Sequence, residues 1–295
     1  MKTSHYFLII TVLFAVSCKM EVANTGVETP EELAMHCEPV QALWDGERPA
    51  DAYDYPVRPG MEEWKNLKTG QEMRDACQVP FPILKEMSTQ AIIQAILEHP
   101  TLFQLFMANN VYQYYLDRHL LTENSCMELV HRKDAAAALL DRLLLVDPLK
   151  VGIPQKYEAP MVELFLSRKV FLSWLDDCEK RSIVETTLKN DSIRRNNVML
   201  AIERPSDVNL SRTISAILIG KTMYAAGYSP FCSEMRMYDE LRFFVEGAKP
   251  WFSFPNDSGL FEPGFGPYEY PFAGSSRFEF VVPRIMGHGK KFINK

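Results

Sequence analysis

The stretch DAAAALLDRLLL, residues 134–145, decides the fold class. Alanine and leucine, which fill most of it, have the strongest helix propensities, so the stretch favours a helix before any tertiary contact forms. We expect this helix to cover residues 127–146. Asp147-Pro148 should end it, because proline cannot continue a helix.

Apolar residues recur every three or four positions on both sides of this stretch, which is the spacing that buries one face of a helix. The pattern predicts one helix over residues 80–100, with Ser88 as an alternative cap near its middle, and further helical segments over 101–121, 161–189, 192–203, 210–226 and 233–246. Asn190-Asp191 should separate the third segment from the fourth. Alternation typical of strands is almost absent before residue 251, so the sequence predicts an all-α fold.

The predicted segments amount to about seven helices joined by short polar or proline-containing connectors. This layout predicts an irregular array of helical hairpins. An armadillo-like stack is the alternative. The segments share composition but no fixed period, and tetratricopeptide or ankyrin arrays would show one.

The first seventeen residues form an export signal. Lys2 precedes an apolar run over residues 6–16, and this run is about half of the ~20 residues that a membrane-spanning helix needs. The following Ala15-Val16-Ser17-Cys18 resembles the lipobox of bacterial lipoproteins. The resemblance implies cleavage before Cys18 and acylation of its thiol, and these acyl chains would hold the protein on a membrane. An ordinary signal peptide that is cut nearby is the alternative.

The chain divides into four predicted segments. Residues 1–17 are the signal peptide, and residues 18–60 carry the lipidated Cys18 and a proline-rich extended tether. A helical domain covers residues 61–250, and an aromatic, loop-rich tail over 251–295 packs on it. No Asp follows Cys18, so we expect the outer membrane, with either its periplasmic leaflet or the cell surface left open.

The predicted tail carries ten aromatic residues between Trp251 and Phe280, among many glycines and prolines. We expect turns there, with one strand over residues 277–282 and a frayed end around His288. Planar rings can stack on sugars, so Trp251, Tyr268 and Tyr270 are candidate ligand-binding residues. The favoured interpretation is that most of the rings pack against the helical domain, because phenylalanine is usually buried.

Charge and composition exclude several functions. The net charge is -6, which leaves no basic excess for nucleic acid. The histidines lack the spacing of a metal site, and neither a catalytic motif nor a cofactor motif stands out. We therefore expect no metal and no cofactor, and the catalytic residues stay unassigned.

The five cysteines after Cys18 are odd in number, so at least one of them is unpaired. Cys77, Cys126 and Cys178 lie in apolar or helical patterns, and we expect them to be buried free thiols. A single disulfide stays open as an alternative. Asp191-Ser192-Ile193 resembles an O-glycosylation motif of Bacteroidetes, which makes Ser192 a candidate modification site unless this motif caps a helix.

Residues 53–147 contain a set of short motifs: YPVRPGMEEW (55–64), Gly70, CQVP (77–80), Leu84, MST (87–89) and RKDA (132–135). The set resembles a recurring segment of uncharacterised exported lipoproteins of Bacteroidetes. It implies a lipidated helical protein and transfers no activity. We therefore expect a lipid-anchored binding or interaction module whose partner is a glycan or an envelope protein. The alternatives are an envelope hydrolase acting on glycan or peptide, and a glycan-binding lipoprotein that uses the tail.

Overall fold

The computed structural model describes residues 37–101, 122–150, 157–197, 205–246 and 276–294. These ranges contain thirteen helices and no strand, which confirms the all-α prediction. The described residues belong to one compact unit, Met35–Lys295. The armadillo-like alternative stays a prediction. Within the described part of the chain, no helix combines the length and the hydropathy that a membrane crossing requires.

The helices of the described ranges are 4 to 21 residues long, and the three longest lie in the second half of the chain. In chain order they are α1 (Glu62–Asn66), α2 (Gly70–Ala76), α3 (Phe81–Glu86), α4 (Thr89–Leu97), α5 (Asn124–His131), α6 (Ala135–Leu145), α7 (Glu158–Leu166), α8 (Lys169–Leu172), α9 (Asp177–Asn196), α10 (Pro205–Ala225), α11 (Ser229–Met237), α12 (Asp239–Glu246) and α13 (Ser276–Ile293).

The single helix over residues 80–100 is wrong and the alternative cap at Ser88 is confirmed, because this residue separates α3 from α4. Its hydroxyl accepts a hydrogen bond from the backbone N–H of Ala91, the arrangement of a helix N-cap. Asp51 reinforces the junction, since its carboxylate accepts from the Ser88 backbone N–H at 2.6 Å and from the hydroxyl at 3.1 Å.

The single helix predicted over residues 127–146 is wrong at its first half. The chain forms α5 and α6 instead and leaves the helical conformation at Arg132. The guanidinium of Arg132 donates to the backbone oxygens of Leu84 and Met87 at the end of α3. A tertiary contact thus overrides the local propensity, while α6 ends before Asp147-Pro148 as expected.

The helix predicted over residues 161–189 is also wrong, because α7, α8 and α9 occupy this region. A capping box starts α9: the Asp176 side chain accepts from the backbone N–H of Glu179, and the Glu179 side chain accepts from that of Asp176. This Asp-x-x-Glu signal was present in the sequence.

The predicted interruption at Asn190-Asp191 is absent, and α9 runs through it to Asn196. Asp191 is buried and pairs with Arg195 one turn later, with 2.8 Å between Oδ2 and Nε. The segment predicted over residues 233–246 is divided at Tyr238 into α11 and α12, and α10 starts at Pro205 rather than at residue 210.

The strand predicted over residues 277–282 is wrong, and so is the frayed end around His288. Both lie in α13, whose apolar residues pack against the preceding helices: Val281, Val282, Ile285 and Met286. Their spacing is that of one helical face, which a short window of alternating residues concealed. The rest of the predicted tail, residues 251–275, lies outside the described residues.

Gly289 allows α13 to approach its neighbours closely. A Cβ atom there would lie 3.0 Å from Ile219 Cγ2 and 3.3 Å from Val184 Cγ1. Gly287 lies on the same helix, and a Cβ added to it would meet nothing within 4 Å.

The N-terminal arm, residues 37–60, is attached to the helices rather than free. Cys37 forms a disulfide with Cys178 in the first turn of α9, with 5.3 Å between the Cα atoms. Trp44 is buried, and its backbone N–H donates to Asp141 of α6. The extended tether predicted over residues 18–60 is therefore wrong from Cys37 onward, and Cys178 is not the free thiol that the sequence predicted.

The buried apolar residues form two clusters. The first joins the arm to helices α3 to α9, and the second joins α9 to α13. α10 contributes to both clusters, with Ile214 and Leu218 in the first and Ile217 and Ile219 in the second. Because α10 supplies buried residues to both clusters, it connects them.

Candidate functional site

A buried polar cluster connects α7, α9 and α10. Glu163 of α7 is fully buried, and its Oε2 accepts a hydrogen bond from the Ser215 hydroxyl of α10 at 2.6 Å. Arg194 of α9 places Nη2 3.3 Å from Glu163 Oε1 and donates from the same atom to Ser215 Oγ at 2.8 Å. Three helices are thus held together by one carboxylate, one guanidinium and one hydroxyl.

Burial dominates the electrostatics of this cluster. It raises the pKa of Glu163 above the ordinary value, while Arg194 and Ser215 oppose the shift and Asp191 adds to it. A carboxyl with a raised pKa beside a second buried acid resembles the acid pair of a glycosidase. In this sequence the two acids of such a pair would have to come from distant elements. Neither acid is accessible in this conformation, because Glu163 is 0% exposed and Asp191 is 3% exposed. The arrangement therefore fixes the packing of the helices and presents no group to a substrate.

Several polar atoms next to this cluster have no partner. In the part of the chain that the structure describes, Nε and Nη1 of Arg194 are buried without a hydrogen bond, as are Asn190 Nδ2 and Thr187 Oγ1 of α9. Thr222 Oγ1 of α10 is in the same state. These groups lie on α9 and α10, and each buried polar atom that lacks a hydrogen bond carries an energetic cost.

A second polar cluster lies where the arm meets α4 and α5. His99 Nε2 is 3.3 Å from Glu123 Oε2, and both side chains are buried. Gln78 donates to the same carboxylate oxygen at 2.7 Å. The ring of Tyr55 packs edge-on against His99, and its hydroxyl donates to the backbone oxygen of Ala95.

The thiols near this second cluster are not activated. Cys77 and Cys126 are buried free thiols, as the sequence predicted. Burial and the negative charge of Glu123 raise the pKa of Cys77 to about 12, and the same causes raise that of Cys126 further. Nucleophilic attack requires the thiolate, so neither cysteine is equipped to act as a nucleophile at neutral pH.

A third polar cluster ties α13 to α11. Glu234 of α11 binds His288 Nε2 with one carboxylate oxygen and Arg284 with the other. Burial acts to raise the pKa of Glu234, but the hydrogen bonds and charges of His288 and Arg284 lower it overall. The Arg284 guanidinium lies over the rings of Tyr238 and Phe280, 4.8 and 4.2 Å from their centroids. Glu234 is therefore kept ionised, and its contacts with Arg284 and His288 connect α11 to α13.

The site residues predicted from sequence are not brought together by the described part of the chain. Cys18, Trp251, Tyr268 and Tyr270 lie outside the described residues. Ser192 lies inside α9 and is half-buried, with Asn196 Nδ2 3.4 Å from its hydroxyl, so it does not cap a helix.

Sequence reasoning found none of the three polar clusters. The bonded partners in these clusters are 21 to 54 residues apart and belong to no local motif. One signal was available: charged and hydroxyl residues at apolar-stripe positions of α9 and α10, such as Arg194 and Ser215, indicate a polar contact between helices.

The described ranges contain no group of three His, Cys, Asp or Glu side chains that could hold a metal ion. Comparison of the chain with protein-family models, with curated proteins and with solved structures found no match. The three clusters are therefore interpreted from their own geometry.

Proposed function

We propose that this protein is a lipid-anchored binding module of the cell envelope. The observation that carries the proposal is the disulfide between Cys37 and Cys178. Disulfides persist in oxidising compartments outside the cytoplasm, and the export signal with its lipobox-like Cys18 directs the chain to such a compartment. The outer membrane is the proposed location.

The disulfide also determines where the anchor is attached. Eighteen residues, 19–36, separate Cys18 from Cys37. Fully extended, they span at most about 60 Å. Because Cys37 is bonded to Cys178, a force on the lipid anchor passes through the disulfide to α9. The proposed module therefore stays within that distance of the membrane, and the force does not act on the contacts between the N-terminal arm and the helices.

The binding half of the proposal rests on surface side chains. The helices α1 and α2 bury none of their residues, and short isolated helices are marginal in water. Phe81 and Ile83 of α3 expose 44% and 42% of their surface. The nearby charges have both signs, which suits a protein partner better than an anionic lipid surface. We propose an envelope protein as this partner.

A photo-crosslinking amino acid placed singly at Phe81 or Ile83 tests the binding proposal in cells. The same protein adduct should form at both positions. Met237 of α11, which is 71% exposed, is the matched control and should give no such adduct. An adduct of equal yield at Met237, adducts to lipid only, or none at either α3 position would contradict the proposal.

A further inference from the structure

Two cysteines lie in the sequence between the two partners of the disulfide and take no part in it. Cys37 pairs with Cys178 across 141 residues, and the Cα atoms are at an ordinary distance for a disulfide. Cys77 and Cys126 lie between them and remain thiols. The native pairing is therefore not the one that joins neighbouring cysteines.

Chain statistics favour the wrong partners for Cys37 before the protein folds. Cys77 and Cys126 follow it by 40 and 89 residues, and Cys178 follows by 141. Closing a loop becomes less frequent as its length to the power of about 3/2, so Cys37 meets Cys77 about 7 times and Cys126 about 2 times as often as Cys178. Of the first pairings that Cys37 makes, about one in ten is therefore native, and Cys178 also meets Cys126 and Cys232 more often than it meets Cys37. Export from the N-terminus adds to this bias, since Cys178 arrives after Cys77 and Cys126.

We infer that the native disulfide forms by rearrangement, and that the protein depends on a thiol–disulfide exchange partner in the compartment where it folds. An oxidant of the disulfide class first takes two electrons from Cys37 and Cys77, or from Cys37 and Cys126. A thiolate of the partner then attacks Cys37 Sγ, which breaks the non-native bond and returns a thiol to Cys77 or Cys126.

The second exchange completes the step. The thiolate of Cys178 attacks Cys37 Sγ in the mixed disulfide, the Cys37–Cys178 bond forms, and the partner leaves as its thiolate and takes up a proton. The exchange causes no net oxidation, because one disulfide is consumed for each one formed.

Once the protein has folded with the native disulfide, this exchange can no longer take place. Cys77 and Cys126 are 1% and 4% exposed once the core has formed. Their thiols are protonated at neutral pH and shielded from attack, so they cannot reopen the native bond. The rearrangement must therefore precede the closure of the first apolar cluster, and this is the stage at which a partner has access.

Refolding of the reduced full-length chain tests the inference. Cys18→Ala serves as the background, since it removes a thiol that acylation would block. Samples refold in a glutathione buffer, are quenched with an alkylating reagent at successive times, and have their disulfides mapped by peptide mass. In early samples Cys37 should be paired mainly with Cys77 or Cys126 rather than with Cys178, and a purified disulfide isomerase should speed the conversion of these pairs to Cys37–Cys178 several-fold. If Cys37–Cys178 is the main first product and the isomerase has no effect, the inference is overturned.

A variant set provides a second measurement. With Cys77→Ala, Cys126→Ala and Cys232→Ala together, no competing cysteine remains, so the native bond should form directly and the isomerase should lose its effect. Cys232→Ala alone leaves Cys77 and Cys126 in place and should keep the isomerase effect, so it is the matched control. An unchanged isomerase effect in the triple variant would contradict the inference. The mapping on the unsubstituted cysteines decides the question if the triple variant does not fold.

Discussion

Replacement of Arg194 by Met should destabilise the protein in a way that depends on pH. The guanidinium lies 3.3 Å from the carboxylate of the fully buried Glu163. At an effective dielectric constant of 20, two charges at that distance attract each other by about 5 kcal/mol. Without Arg194, a charged Glu163 would be buried with no partner. Binding a proton costs less free energy than that, so we expect Glu163 to become neutral in the variant.

The cost of that proton sets the magnitude. An unfolded glutamate has a pKa near 4.3, so holding Glu163 neutral costs about 3.7 kcal/mol at pH 7 and about 1 kcal/mol at pH 5. Wild type should already lose some stability as pH rises from the unfolded pKa, because burial raises the pKa of Glu163 in the folded state. In Arg194→Met, this loss should be steeper and should continue to higher pH.

Urea unfolding at pH 5 and at pH 7 measures the effect as a free energy of unfolding. The double variant Glu163→Leu with Arg194→Met removes both charges, and we expect it to be as stable as wild type or more stable, with no added pH dependence. Arg242→Met is the matched control: it removes a pair in which Asp239 is 68% exposed, and it should change stability by less than about 1 kcal/mol. The reasoning is refuted if Arg194→Met has the same effect at both pH values.

Three further predictions concern packing, capping and thiol chemistry. Gly289→Ala should lower the melting temperature because its Cβ has no room, whereas Gly287→Ala should leave it unchanged or raise it, since alanine favours a helix by about 1 kcal/mol. Asp51→Ala should lower the free energy of unfolding by about 1 kcal/mol at pH 7. Burial acts to raise the pKa of Asp51 but its bonds to Ser88 lower it overall, so this contribution should fade as pH falls below the ordinary carboxyl range, as urea titrations at several pH values will test. Cys77 should not react with a thiol reagent in the folded protein and should react in denaturant, and rapid labelling under native conditions would contradict its burial.

The fold class could be predicted from the sequence because propensity and periodicity agree along most of the chain. Helix ends were harder where a distant group decides them. The helix α5 ends just before Arg132, whose guanidinium binds the backbone oxygen of Leu84 in α3. The two residues are 48 positions apart, so no local sequence window includes this contact. Asp191 looked like a cap because aspartate usually ends or begins helices, but burial and pairing with Arg195 keep it inside α9.

The polar clusters could not be predicted for a related reason. A buried glutamate such as Glu163 is identified by what surrounds it, and its partners Arg194 and Ser215 come from two other helices. The disulfide could not be predicted for the same reason. An odd number of cysteines shows that at least one is unpaired, but it does not show which two form the bond. Cys77 and Cys126 were correctly predicted from their apolar neighbourhoods to be buried thiols.

Membrane attachment through Cys18 is the most direct test of the proposed function. Cells that make wild type and cells that make Cys18→Ala are fractionated, their membranes are washed with carbonate, and the protein in each fraction is quantified. Wild type should remain in the membrane, and its N-terminal peptide should carry the mass of acyl chains on Cys18. Cys18→Ala should be released. A Cys18→Ala protein that stays entirely membrane-bound after the wash, or an unmodified Cys18 in wild type, would contradict the lipid anchor.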